Sequence, residues 1–508
     1  MKRIFLIIIY FLFVMYPCFA IEDTVQLDNQ KSCGCSHHHH GEDIKVVDGS
    51  ILTVRDCISI GLQNSPVIKE YAYKLEIAKS NVGLAKSMYF PTFSTGVGYN
   101  QNFNSNKREF YRNYRELPYV GVSLNQMIWD FGKTTANIRM EEFLRIAAEY
   151  EFQDAVCLTV FDIKKHYYDM LRAKYIYETA KLNSELQKNM SIKIKHYVDQ
   201  GRDIKSAFSN AGLESAKIQS ELIKAEKNYL NAKEALNNAM FFKNAPDYSI
   251  YDTQTFSFEP TEQTAIKSIN YKKHAKNSDD DTIFKYKKYN YDNAVEIAYR
   301  NSPDIKALKA TKNAMEQALI SIKRNYYPEL NAGVGYDFVN TNKYTNNGLN
   351  VTVGMNASLN AMRQKYDVKG AKAQLNLAET ELMTFKDNLY FTVRKNINLV
   401  DSAYKNIPEC KKQVQFAQKY FEQGIVYYDE NKIDYFEFEY TKECYINSLN
   451  AYINSQYEYN IALINLEMSM HEHLLDYHDD AEHAVNYHEG DENSTLGKLI
   501  RCGKKHKP

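Results

Sequence analysis

The chain has 508 residues, 44% of them apolar and 25% charged, which is enough to bury a large core and too apolar for disorder throughout. Lys plus Arg and Asp plus Glu are both 63, so there is no basic excess to attract nucleic acid and none is expected as a partner. No Ser/His/Asp set, phosphate loop or Cys/His nucleophile pattern stands out, and His471-Glu472-His473 lacks the i, i+4 histidine pair of a zinc protease, so no enzyme is expected.

In chain order, residues 1–20 read as a signal peptide. Lys2-Arg3 opens it, Ile4 to Met15 is apolar, and Cys18-Phe19-Ala20 supplies a small-x-small cleavage site. The alternative, a lipid on Cys18, has poor context in Met15-Tyr16-Pro17. Residues 21–50 read as a disordered Cys/His-rich segment with Cys33, Cys35, His37, His38, His39 and His40 as candidate metal ligands. Thiolates and imidazoles suit Zn or Cu, and no other cofactor is expected. A role in metal efflux and incidental binding by a His-rich tract or cloning remnant stand as alternatives. No later segment approaches the ~20 apolar residues of a membrane helix, so any membrane crossing falls to strands.

Residues 51–241 form a first structural repeat. A helix is expected from about Leu52 to Met88, then two strands in which Phe93, Thr95, Val97 and Tyr99, and later Val120, Val122 and Leu124, alternate with small or polar residues. From Lys133 to Gln200 there is neither Gly nor Pro, and the 68 residues would make a helix roughly 100 Å long. Phe152, Val156, Val160, Ile163, Tyr167 and Met170 give it a coiled-coil-like seam. Gly201 closes it as a C-terminal stop, and a returning helix follows from about Ser206 to Phe241. Residues 242–289 read as a polar insert between repeats, at the equator of the molecule.

Residues 290–471 repeat the plan. Asn64-Ser65-Pro66 recurs as Asn301-Ser302-Pro303, Tyr89-Phe90-Pro91 as Tyr326-Tyr327-Pro328, and Gly96-Val97-Gly98-Tyr99 as Gly333-Val334-Gly335-Tyr336, each 237 residues on. That spacing is far longer than a solenoid repeat of about 20–50 residues and reads as a duplicated half-protein. An opening helix is expected from about Asn290 to Asn325. In the strands, Val351, Val353, Met355, Ala357 and Leu359 alternate with Asn350, Thr352, Gly354, Asn356 and Ser358. Lipid outside and water inside would explain the alternation, as would a soluble hairpin half-buried on a core. A second long helix carries Leu375, Ala378, Leu382, Phe385, Leu389, Val393, Ile397, Val400 and Tyr404 as its seam; Pro408 is expected to kink it and Gly424 to end it. Cys410 and Cys444, each 17 residues from Tyr427, are candidates for a disulfide across this hairpin. Residues 472–508 form a polar, His-rich tail.

Four strands cannot close a barrel, for which about eight are needed, and open strand edges are not tolerated in lipid. A membrane-spanning form must therefore oligomerise. The order of Asn-Ser-Pro, Tyr-Phe-Pro or Tyr-Tyr-Pro, Gly-Val-Gly-Tyr, Trp129-Asp130-Phe131-Gly132 and the paired Tyr-x-x-x-Gly turns resembles the TolC-type outer-membrane efflux protein family over nearly all of residues 50–470.

That resemblance implies an α+β membrane protein. Long antiparallel coiled-coil-like helices form an α-barrel, and four amphipathic β-strands per protomer contribute to a trimeric 12-stranded β-barrel. It also implies a homotrimer in outer-membrane lipid, extending into the periplasm, whose helical tips meet a periplasmic adaptor and an inner-membrane pump of the RND or ABC type. The function implied is passive conduction of exported solutes, with heavy-metal ions, drugs and toxic organic compounds as candidate cargo. The rival is a soluble periplasmic metal-binding coiled-coil protein. By the same resemblance Gly201 and Gly424 mark the adaptor-contacting tips, and Asp203, Asp434 and Glu437 are gate candidates. Two departures complicate the transfer: Ala207 stands where an acid is usual, and the second turn carries about four extra residues, Tyr427 to Glu430.

Overall fold

The computed structural model describes residues 46–101, 116–201, 205–251, 256–260, 267–271, 290–340, 345–357 and 360–471. The elements are β1 (Ser50–Leu52), α1 (Val54–Asn64), α2 (Pro66–Ser87), β2 (Thr92–Gln101), β3 (Glu116–Trp129), α3 (Lys133–Asp199), α4 (Lys205–Ala239), β4 (Tyr248–Ile250), β5 (Phe256–Pro260), β6 (Lys267–Tyr271), α5 (Tyr291–Asn301), α6 (Pro303–Arg324), β7 (Glu329–Asn340), β8 (Thr345–Asn356), α7 (Ala361–Asp429) and α8 (Tyr435–Met470).

The opening helix expected in each repeat is in fact two helices, broken at Ser65 and Ser302. Proline disfavours helical geometry in the residue before it, and both serines sit at ψ near 117–118°. Each ends one helix with its N–H, Ser65 donating to the Gly61 carbonyl and Ser302 to that of Ala298. Each also starts the next helix, its Oγ accepting at 3.3 Å from the N–H of Ile68 or Ile305. With proline at the first helical position, Asn-Ser-Pro is a joint built for a sharp change of direction.

Four staves run side by side. β2, β3, β7 and β8 form one antiparallel sheet in that order. Beneath it α2 and α4 pack on α3; α6 lies between α3 and α7; and α8 packs on both α3 and α7. The first stave is therefore β2 with α2 and α4, the second β3 with α3, the third β7 with α6 and α8, and the fourth β8 with α7. At 67 and 69 residues, α3 and α7 each reach about 100 Å, matched by a pair of shorter helices end to end.

The core divides into clusters along this length. One gathers Phe152, Val156, Val160, Ile163, Tyr167 and Met170 of α3 with Ile58 of α1, Leu236 of α4 and Ile464 of α8. A second surrounds Val393, Ile397 and Val400 of α7, and a third fills the far end of the helices. Residues 242–289, expected as a plain polar insert, contain strands. β4 pairs in parallel with β1, and β5 pairs with β6. The Tyr248 hydroxyl of β4 donates to Asn237 Oδ1 at 2.6 Å, anchoring the insert to α4.

Two local expectations are corrected. α7 does not stop at Gly424 but runs through both it and Pro408 to Asp429. Its end is made instead by Asn431 in the left-handed conformation (φ 58°), with the Lys432 N–H bonded to the Tyr427 carbonyl and the Asn431 N–H to that of Tyr428. Gly424 is needed for a close approach, since a Cβ there would stand 2.6 Å from Thr441 Oγ1 of α8. Cys410 and Cys444 are free thiols. Gly424 faces Thr441, and the Tyr404 and Tyr459 rings meet, so Cys410 lies level with residues near 453. That is about nine residues, or roughly 13 Å of helix, from Cys444.

Candidate conduit and its tip

The strand pairing lines up complete rows across the sheet. Phe93, Leu124, Val334 and Val351 stand abreast, as do Thr95, Val122, Tyr336 and Leu349. The rows between are small or polar: Ser94, Ser123, Gly335 and Asn350, then Thr92, Asn125, Gly333 and Thr352. On the polar side Asn350 donates to Asp337 at 2.9 Å, and the Ser94 and Ser123 hydroxyls lie 3.4 Å apart. The apolar side is bare: Phe93, Val97, Leu349, Val351, Val353 and Met355 are each at least 65% exposed. A soluble hairpin would seat these side chains on a core; among the described residues no layer covers them. At 10, 14, 12 and 12 residues, the strands have the length of tilted membrane strands, about 9–11 residues.

Where the strands meet the helices, the sequence motifs form an aromatic girdle. Tyr89, Phe90, Tyr326 and Tyr327 precede β2 and β7, and Trp129 and Phe131 follow β3; all six are exposed. Phe131 stacks on Tyr327 (5.2 Å) and meets Trp129 edge-on (6.1 Å). Amphipathic rings at this level suit the boundary between hydrocarbon and water. Asp130 makes the turn itself, its carboxylate accepting from the N–H groups of Gly132 (2.9 Å) and Thr134 (2.5 Å), while Arg324 from the end of α6 donates to the Gly132 carbonyl at 2.6 Å. The polar face of the sheet thus leads directly into the helical staves.

At the opposite end the helices close into two hairpins. Gly201 has φ 67°, a left-handed turn that a side chain would strain, and its N–H bonds the Val198 carbonyl. Asp434 is the N-cap of α8, accepting from the Glu437 N–H at 2.8 Å; both side chains are exposed, one turn apart on one face. Asp203 lies outside the described residues, as do Cys33, Cys35 and His37 to His40. Ala207, where an acid was the usual residue, is fully buried and belongs to the tip core.

Two tip features escape sequence reasoning. Lys442 is 98% buried, ion-paired with Glu439 and hydrogen-bonded to Gln187 of α3, whose amide in turn donates to the Ala211 carbonyl of α4. One lysine thus ties three helices, although in sequence it reads as part of a solvated face. The second feature joins the hairpins: Asp429, the last residue of α7, pairs with Lys193 of α3 and accepts from the Tyr197 hydroxyl at 3.1 Å. Ring contacts reinforce it: Tyr428 stacks on Phe438 (5.2 Å), and tilted pairs join Tyr197 to Tyr428 (5.6 Å) and Phe438 to Phe421 (5.8 Å). No regular spacing relates residues 193, 197 and 429, so only the fold brings them together.

Comparison with known proteins agrees with this architecture. Residues 57–240 match the family described as outer membrane efflux protein. The fold is that of solved outer-membrane channels at low sequence identity. The CmeC outer membrane channel of Campylobacter jejuni superposes with a TM-score of 0.68 at 13% identity, over 87% of this chain and 94% of that one. The outer membrane protein VceC of Vibrio cholerae gives 0.66 at 15%, over 82% and 95%, and the channel CusC gives 0.67 at 14%, over 84% and 92%. No functionally curated protein matches the chain. The resemblance to TolC-type outer-membrane efflux proteins, and the mostly helical, channel-type fold it implied, hold.

Proposed function

We propose that the chain is one third of a trimeric outer-membrane channel-tunnel of an efflux or type I export system, passively conducting solutes from an inner-membrane pump to the exterior. One observation carries this reading: the four-stave protomer has two unfinished edges, and both are apolar. Tyr73, Ile77 and Leu84 on α2 and Phe208, Leu213, Ile223 and Leu230 on α4 are exposed along the first stave. Met362, Tyr366, Leu377, Met383, Phe391 and Phe416 are exposed along the fourth. The strands above them, β2 and β8, are the two edges of the sheet.

Edge strands in lipid leave backbone groups unpaired at several kcal/mol each, so β8 must pair with β2 of a neighbour. Three protomers of four strands make a ring of twelve. That is wider than the roughly eight strands whose interior side chains fill, and its lining of Gly, Ser, Thr and Asn leaves an aqueous bore. The helices then continue the bore about 100 Å into the periplasm. No group along it carries out covalent chemistry; energy comes from the partner pump.

The tip is the natural gate. Asp434 and Glu437, repeated three times around the axis, would make a ring of carboxylates favouring cations, and Asp203 would add to it. The Asp429 links to Lys193 and Tyr197 hold the hairpins together in the closed form. Gly201 and the Asn431 turn present the surface for a periplasmic adaptor. Metal ions are the favoured cargo over drugs or other toxic organic compounds, on the strength of Cys33, Cys35 and His37 to His40. Zinc or copper sensitivity of a deletion strain, set beside its sensitivity to organic toxicants, tests the cargo.

The reading itself is tested by planar-bilayer recording and mass determination on one detergent-extracted sample. Discrete cation-selective openings from a trimer are expected. A water-soluble monomer without conductance would overturn the conduit and favour a periplasmic metal-binding protein.

A further inference from the structure

Asp154 on α3, Asp304 in the first turn of α6 and His471 at the end of α8 come from three helices and both repeats, yet their donor atoms all lie within 4.8 Å of one another. His471 is 96% buried, and among the described residues neither ring nitrogen has a hydrogen-bond partner. An imidazole without a partner in such a place leaves both nitrogens desolvated and uncompensated. Its Nε2 stands 3.5 Å from Asp154 Oδ1, too far for a good hydrogen bond, and that oxygen is itself buried without a hydrogen-bond partner. Two donors each about 2.0–2.2 Å from a shared tetrahedral ion would be spaced in just this way.

His471 ends α8 in the left-handed conformation (φ 49°) common at helix ends, its N–H bonded to the Met468 carbonyl. The charges bearing on Asp304 are Asp154, His471 and Glu151, so acids outnumber the one base. A bound cation would relieve this crowding of negative charge.

We propose that Asp154, Asp304 and His471 bind one divalent transition-metal ion per protomer, zinc by preference, stapling the ends of α6 and α8 to the middle of α3. One imidazole and two carboxylates form a borderline donor set suited to Zn(II), with a remaining position for water. The ion joins the second stave to the third. The site uses none of the cysteines or histidines of the N-terminal tract and does not depend on the cargo or on the conduit reading.

The test compares bound zinc in the purified full-length protein, stripped with chelator and dialysed against zinc alone, between the native chain and the variant Asp154→Asn, Asp304→Asn. The N-terminal tract and tail histidines are present in both, so their zinc cancels. One equivalent per protomer fewer in the variant is expected. Zinc should also raise the melting temperature of the native chain and leave that of the variant unmoved. Should the double variant fail to assemble, His471→Gln at the helix end supplies the same comparison. Equal zinc content and equal thermal response in native and variant chains would overturn the site and leave a buried His–Asp ion pair as its explanation.

Discussion

Helices α2 and α6 are counterparts in the two repeats. Both have 22 residues, both begin at the proline of Asn-Ser-Pro, and both are capped by the serine before it. Yet α6 buries Ile305, Ala307, Ala310, Ala314 and Leu319 between two long helices, while α2 buries only Ile68 and Val82 and leaves Tyr73, Ile77 and Leu84 in the open. The same contrast separates α8, packed on both long helices, from α4, packed on one. The duplication therefore produced two similar units with unequal neighbours. The inner staves are covered within the chain, and the outer ones leave apolar side chains exposed, as the proposed trimer requires.

The largest effect should come from charging an outer stave. Ile77→Glu with Leu84→Glu places two carboxylates where about 1.5–3 kcal/mol per apolar side chain is available on burial, so the trimer should weaken at least about 100-fold. Light scattering in detergent should show monomer with its helix content intact; an unchanged trimer would show that α2 is not an interface. On the inner stave Ile305→Ala, at a site 1% exposed, should cost about 2–4 kcal/mol in protomer stability, read by denaturant unfolding, without changing the stoichiometry of what remains folded. The two substitutions sharpen the contrast because one acts on assembly and the other on folding.

Smaller effects should separate the hairpin tips. Asp429→Asn loosens the pair with Lys193, whose members are about a third to two-fifths exposed, so its stability cost should stay at or below roughly 1 kcal/mol. Single-channel recording should nonetheless show a higher open probability, because this link joins the hairpins; unchanged gating would remove it from the closed state. Gly201 and Asn431 do the same work at the two turns with different residues. Gly201→Ala should therefore lower stability by about 1 kcal/mol, read as a fall in melting temperature.

The strand faces, the long helices and the Gly201 stop were legible because each rests on neighbours close in sequence, whereas the break at each Asn-Ser-Pro was read through as one helix. Alternation along Val351, Val353 and Met355 needs only the two-residue period of a strand. The misreadings have equally local causes. Gly424 looks like a stop until Thr441 is found against it, and the level of Cys410 shifts because Asn431, not the glycine, makes the turn. Lys442 was illegible, since a lysine in an amphipathic helix ordinarily faces water and nothing nearby announces that Gln187 will meet it.

The sequence alone determined the long helices, the four alternating strands and the duplication, since periodicity is a property of short segments. Only the tertiary structure decided which stave lies at an edge, that Asp429 reaches Lys193 and Tyr197, and that Asp154, Asp304 and His471 converge. Those outcomes depend on the packing angle and register of helices hundreds of residues apart, which small shifts in side-chain interlocking set and no local pattern encodes.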